Sequence, residues 1–145
     1  MKAKHFLSRI DSDRVVDAIA KVEQRTSAEI RVVIHHASRV GNVQEFATRE
    51  FHRLKMNHAR ERNGVLILVA PAVREFAVVG DEGIHQRCGE PFWKEVVDEV
   101  GKHFRSEQFT EGLIHAIQKV GDVLKTHFPK RPDDPNKIPD PIVER

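Results

Sequence analysis

The sequence contains no tyrosine, one cysteine and one tryptophan, and no apolar run long enough to cross a bilayer. With Cys88 alone, an intramolecular disulfide and a multi-cysteine zinc knuckle are excluded, and the chain suits a reducing compartment. The longest apolar stretch begins at Val65 and is over by Arg74, well short of the roughly 20 residues a spanning helix needs. Near the amino end, charge returns at Arg9 before an apolar signal segment develops. A cytoplasmic protein without membrane attachment is expected. One-sided charge is lacking too: 24 basic against 22 acidic side chains leave a formal charge of +2, so no basic field of the kind phosphate backbones require is present. Nucleic acid is not an expected partner. Phosphate-loop, Gly-x-Ser-x-Gly and His-Glu-x-x-His patterns are absent, which sets aside P-loop ATPases, serine hydrolases of the elbow type and zinc hydrolases. Where a cysteine phosphatase places arginine after its nucleophile, Cys88 is followed by Lys94, and an inert thiol is expected.

What is present, over 145 residues, is enough for one core. Asp11, Ser12 and Asp13 offer oxygens to the free amides of a first helix, in which Val15, Val16, Ile19 and Val22 recur at helical spacing. Residues 28 to 35 are rich in β-branched side chains and predict a first strand. After Gly41-Asn42, the stripe Val43, Phe46, Ala47, Phe51, Leu54 predicts a second helix. Val65 to Ala70 is an uninterrupted apolar run, as in a strand covered on both faces. Pro71 to Arg74 turns the chain into a third strand, Glu75 to Val79, antiparallel to the second. Gly80-Asp81-Glu82-Gly83 reads as a loop, Pro91 as the first turn of a third helix, and Thr110 as the cap of a fourth that ends near Phe128. Hence residues 1–128 form an α/β domain: an N-terminal helix, a β-α-β unit, an antiparallel hairpin on a mixed sheet, and two C-terminal helices. Residues 129–145 hold five of the seven prolines and read as a disordered tail, in which Pro132-Asp133-Asp134-Pro135 allows an extended segment for a protein partner.

A right-handed crossover makes the first two strands parallel, and the third runs back. The starts of strands one and two and the exit of strand three therefore lie at one end of the sheet. Ser27, Glu29, Arg62, Asn63, Asp81 and Glu82 converge there. Glu29, Asn63, Asp81 and Glu82, together with loop carbonyls, are the ligand types that Ca²⁺ or Mg²⁺ prefers. Equally, Asp81 and Glu82 suit solvated turn positions, and Glu29 suits a pair with Arg62. At the other end, His35 and His36 point to opposite faces and do not grip one ion; one is expected to cap the core and one to be exposed. Phe92 and Trp93 read as core aromatics close to the acidic loop.

Thr26-Ser27-Ala28-Glu29-Ile30, Arg62 to Ala70, Val79-Gly80-Asp81-Glu82-Gly83-Ile84, and Phe104 to Leu113 in this order resemble the TPM domain family, also called TPM phosphatase, over about Ser12 to Phe128. The family includes a thylakoid-lumen acid phosphatase, a photosystem II repair protein and a receptor modulator. The resemblance implies a three-layer α/β sandwich, weak phosphatase activity and calcium near acidic loops, here Asp81 and Glu82, with Glu29 and Asn63 in the matching strand-start motifs. Two functions follow as expectations. One is a weak divalent-cation-dependent acid phosphatase of phosphomonoesters, in which Asp81, Glu82 and Arg62 carry the catalysis and Glu29, Asn63, Asp81 and Glu82 hold Ca²⁺ or Mg²⁺. The other is a non-catalytic module, binding calcium or docking a protein through its loops or tail. A monomer is expected in both.

Overall fold

The computed structural model describes residues 1–36, 41–132 and 141–145. In chain order the elements are α1 (Ala3–Arg9), α2 (Ser12–Glu23), β1 (Ile30–Ile34), α3 (Val43–Arg53), β2 (Val65–Ala70), β3 (Glu75–Gly80), α4 (Glu82–Arg105), α5 (Phe109–His127) and β4 (Ile142–Glu144). Among the described residues the sheet runs in the order β3-β2-β1-β4. β1 is parallel to β2 and β4, and β3 is antiparallel to β2. Val32, Ile67 and Val78 face a core shared with α1, α2, α4 and α5, while Val33, Leu66, Leu68 and Ala77 face α3. The result is the expected three-layer α/β sandwich. No described helix is long and apolar enough to cross a membrane.

Local chemistry sets most boundaries. Asp11 caps α2 by accepting from the Arg14 amide at 3.2 Å, and Asn42 caps α3 by accepting from Glu45 at 2.9 Å. Both strands buried on two faces, Ile30–Ile34 and Val65–Ala70, are wholly apolar apart from Arg31. The hairpin from β2 to β3 closes through Pro71–Val73, with Arg74 in the left-handed region at φ 54°.

Four readings change. α1 is an additional helix, too short for periodicity to reveal, with Ala3 and Phe6 inserted into the core. α4 begins at Glu82 and not at Pro91: Asp81 is its cap, and a kink at Gly89, φ 74°, resets the helix just before the proline. Thr110 does not cap α5; its hydroxyl accepts the Asp11 amide at 3.0 Å and so ties α2 to α5. Finally, disorder throughout 129–145 does not hold. Pro129 bridges Thr26, and Ile142–Glu144 add an edge strand to β1, with Val32 N donating to Pro141 O at 2.9 Å and Arg145 N to Ile34 O at 2.8 Å. Composition hides so short a strand, because its stability comes from the waiting edge of β1. Asp133 to Pro135 of the proposed extended segment lie outside the described residues.

Candidate functional site

Register fixes the convergence. Val65 on β2 sits opposite Ile30 on β1 and Gly80 on β3. Backbone bonds continue beyond the strands: Val65 N donates to Glu29 O at 2.9 Å, Asp81 N to Gly64 O at 3.1 Å, and Gly83 N to Arg62 O at 2.9 Å. The contact at Gly83 is so close that a Cβ there would lie 2.3 Å from Glu61 O and 2.6 Å from Arg62 O. Arg62 itself turns through φ 51°. Trp93 packs against the neighbouring Gly80, where a Cβ would sit 2.3 Å from its ring, so this aromatic is a buried wall behind the loop.

Two polar groups result. In the first, Arg62 binds Asp81 through two bonds, Nε to Oδ2 at 2.7 Å and Nη2 to Oδ1 at 3.0 Å, and reaches Glu82 Oε1 from Nη1 at 3.3 Å. Asp81 Oδ1 also accepts the Glu82 amide at 2.9 Å. The fork geometry makes this a strong type of pair, and the Asp81 bond raises the Arg62 pKa above its ordinary value. In the second, Ser27 Oγ donates to Glu61 Oε2 at 2.5 Å while Asn63 Nδ2 donates to Ser27 Oγ at 3.0 Å. Arg131 holds the other Glu61 oxygen. Asn63 is buried and Glu61 is mostly buried.

Asp81, Glu82 and Arg62 thus meet, and Asn63 joins Ser27 and Glu61. Glu29 does not pair with Arg62: its carboxylate lies 2.7 Å from Nε of Arg31, two residues on along the same strand and so on the same face. That Nε lacks hydrogen-bond alignment despite its closeness, so the contact is an ion pair by charge alone. For a divalent cation this arrangement does not fit as it stands. Both Asp81 oxygens and one of Glu82 are taken by Arg62, and among the described residues no three His, Cys, Asp or Glu side chains come together as metal ligands. Ser27 and Glu61 were not singled out as site residues from the sequence. Their juxtaposition spans 34 positions; strand direction places Ser27 at the Arg62 end, and Glu61 is the residue before Arg62, but neither signal specifies the pairing.

At the opposite end His35 is buried against Phe46, ring centroids 4.2 Å apart, while exposed His36 bonds Glu144 at 2.8 Å. Burial lowers the His35 pKa, and Glu50 offsets this only in part. For Glu50, burial acts upward, but hydrogen bonds from Arg53 and Arg145 outweigh it and leave the carboxyl low. Both groups have folded pKa values below their unfolded ones. Their stabilisation is present above the unfolded values, near 6.5 for His35 and 4.5 for Glu50, and is lost as pH falls. Melting temperature is therefore expected to decline from neutral pH downward, and His35→Phe should flatten the His35 part of that slope. An identical slope in the variant would refute the assignment. Cys88 is half-buried and its burial pushes the thiol pKa up, which keeps it protonated and inert.

A family model described as the TPM domain matches residues 1–123. The NMR structure of BA42 protein from the psychrophilic bacterium Bizionia argentinensis is similar at a TM-score of 0.82 and 34% identity, over 94% of this chain and 95% of that one. No curated protein matches.

Proposed function

The chain belongs to the TPM domain family, and on that footing we propose that it hydrolyses phosphomonoesters slowly at the edge where Ser27, Glu61 and Asn63 meet beside Arg62. The observation that carries this reading is the 2.5 Å bond from the Ser27 hydroxyl to Glu61, a carboxylate oriented in turn by Arg131. A hydroxyl on a base that a third group holds in place is the arrangement of an activated nucleophile. Ser27 Oγ adds to phosphorus as its proton passes to Glu61; the bond from phosphorus to the ester oxygen breaks, and the departing alkoxide takes that proton. Water then cleaves the phosphoserine by the same route, Glu61 again accepting and returning a proton. The two N–H groups of Arg62 that Asp81 and Glu82 do not use can donate to the phosphoryl oxygens, and those carboxylates hold its guanidinium in place. A carboxylate is a weak base for a serine hydroxyl, which fits a slow enzyme.

Hydrolysis of p-nitrophenyl phosphate by the purified protein, measured in chelator and again with Mg²⁺ or Ca²⁺, tests the proposal. Activity in chelator that falls roughly 100-fold in both Glu61→Gln and Ser27→Ala supports it. Equal rates in wild type and Glu61→Gln refute it.

The contact of Arg62 with two carboxylates favours a second reading, a non-catalytic cation module in which Ca²⁺ or Mg²⁺ replaces the guanidinium between Asp81 and Glu82. Calcium titration followed residue by residue separates the two. Under this reading Arg62→Ala binds calcium more tightly than wild type, with shifts confined to Asn63, Asp81 and Glu82. Shifts elsewhere would exclude it.

A further inference from the structure

At the end of the sheet away from Arg62 and Asp81, a cavity of about 440 Å³ opens between the hairpin and the helices on the α4 face. Four phenylalanines line it, each from a different element: Phe6 of α1, Phe76 of β3, Phe104 of α4 and Phe109 of α5. Their rings lie 5.1 to 6.0 Å apart in edge-on or tilted contacts, which fixes the wall. Gly101 keeps the interior open: a Cβ there would lie 3.7 Å from the Phe76 ring and 3.2 Å from Nη1 of Arg105.

Charge at the mouth is unequal. Glu107 is engaged by Arg9 at 3.2 Å, and Arg9 in turn lies 5.1 Å over the Phe109 ring. Glu75 borders the cavity, but alternation along β3 sends its side chain to the face opposite Phe76. Arg74 and Arg105 also border it, and among the described residues neither forms an ion pair or a side-chain hydrogen bond. An apolar chamber closed by two uncommitted guanidiniums is complementary to an apolar body with one anionic end. Its position, beyond the carboxyl end of β2, is where open α/β sheets commonly hold ligands.

We propose that this cavity binds a small amphiphilic carboxylate, the apolar body among Phe6, Phe76, Phe104 and Phe109 and the carboxylate on Arg74 and Arg105. Octanoate is a suitable probe, with octylamine as its charge-reversed match. Titrating the full chain by NMR should give saturable shifts at Gly101, Phe76 and Phe104, with octanoate at least tenfold tighter than octylamine. Arg105→Gln, an exposed change that leaves the rest of the spectrum in place, should weaken octanoate about tenfold, as the loss of a charge-assisted bond does. Gly101→Leu should fill the chamber and abolish binding. Equal affinity for the two probes, octanoate shifts at another surface, or unchanged affinity in Arg105→Gln would each overturn the proposal.

Discussion

Gly83→Val is expected to destabilise the protein by more than about 3 kcal/mol. The clash is with backbone: a Cβ at this position would sit 2.3 Å from Glu61 O and 2.6 Å from Arg62 O. Carbonyl oxygens of a turn cannot rotate aside as a side-chain tip can. Relief would require the first turn of α4 to move off the loop that enters β2, breaking the Gly83 N to Arg62 O bond and pulling Asp81 away from Arg62. Gly41→Ala is the informative control. Gly41 has φ 65° but nothing within 4 Å of its added Cβ, so that variant meets backbone strain alone, about 1 kcal/mol. Chemical denaturation of the two variants measures the difference; equal losses would mean that the contact at Gly83 gives way easily.

Ile67→Ala should cost roughly 2 to 5 kcal/mol. Ile67 is fully buried in β2, paired with Val32 on one side and Val78 on the other. Removing its branched side chain from the middle of the sheet leaves a space that strands on both sides hinder from collapsing. Against a typical total stability of about 5 to 15 kcal/mol, a loss of this size lowers the melting temperature by roughly 10 °C. Because β2 starts at the Arg62 and Asn63 edge and ends beside the phenylalanine cavity, one strand positions both. A melting temperature within about 2 °C of wild type would show that the core repacks around the deletion.

Much of the fold is legible residue by residue. Hydrophobic period marks α2, α3 and α5, each of which buries one face, while β-branched or uninterrupted apolar runs and the turn at Pro71 mark β1, β2 and β3. α1 and β4 escape for one physical reason: each is too short to carry a period, and each owes its place to a partner surface elsewhere, the core under Phe6 and the edge of β1. The start of α4 was obscured because Pro91 marks the resumption of a helix after Gly89 and not its beginning.

The sequence by itself determined a mixed α/β domain, the direction of its first three strands, and therefore that Arg62, Asn63, Asp81 and Glu82 share one end of the sheet. Local periodicity and connection length suffice for that. Which atoms pair at this end was decided only by the tertiary structure: Arg62 with Asp81 and Glu82, Glu29 with Arg31, and Ser27 with Glu61. Pairing depends on side-chain direction and on loop carbonyls so close to Gly83 that no Cβ fits there, and neither is encoded in spacing. The phenylalanine cavity is tertiary for the same reason, since its four rings come from elements that no sequence period connects.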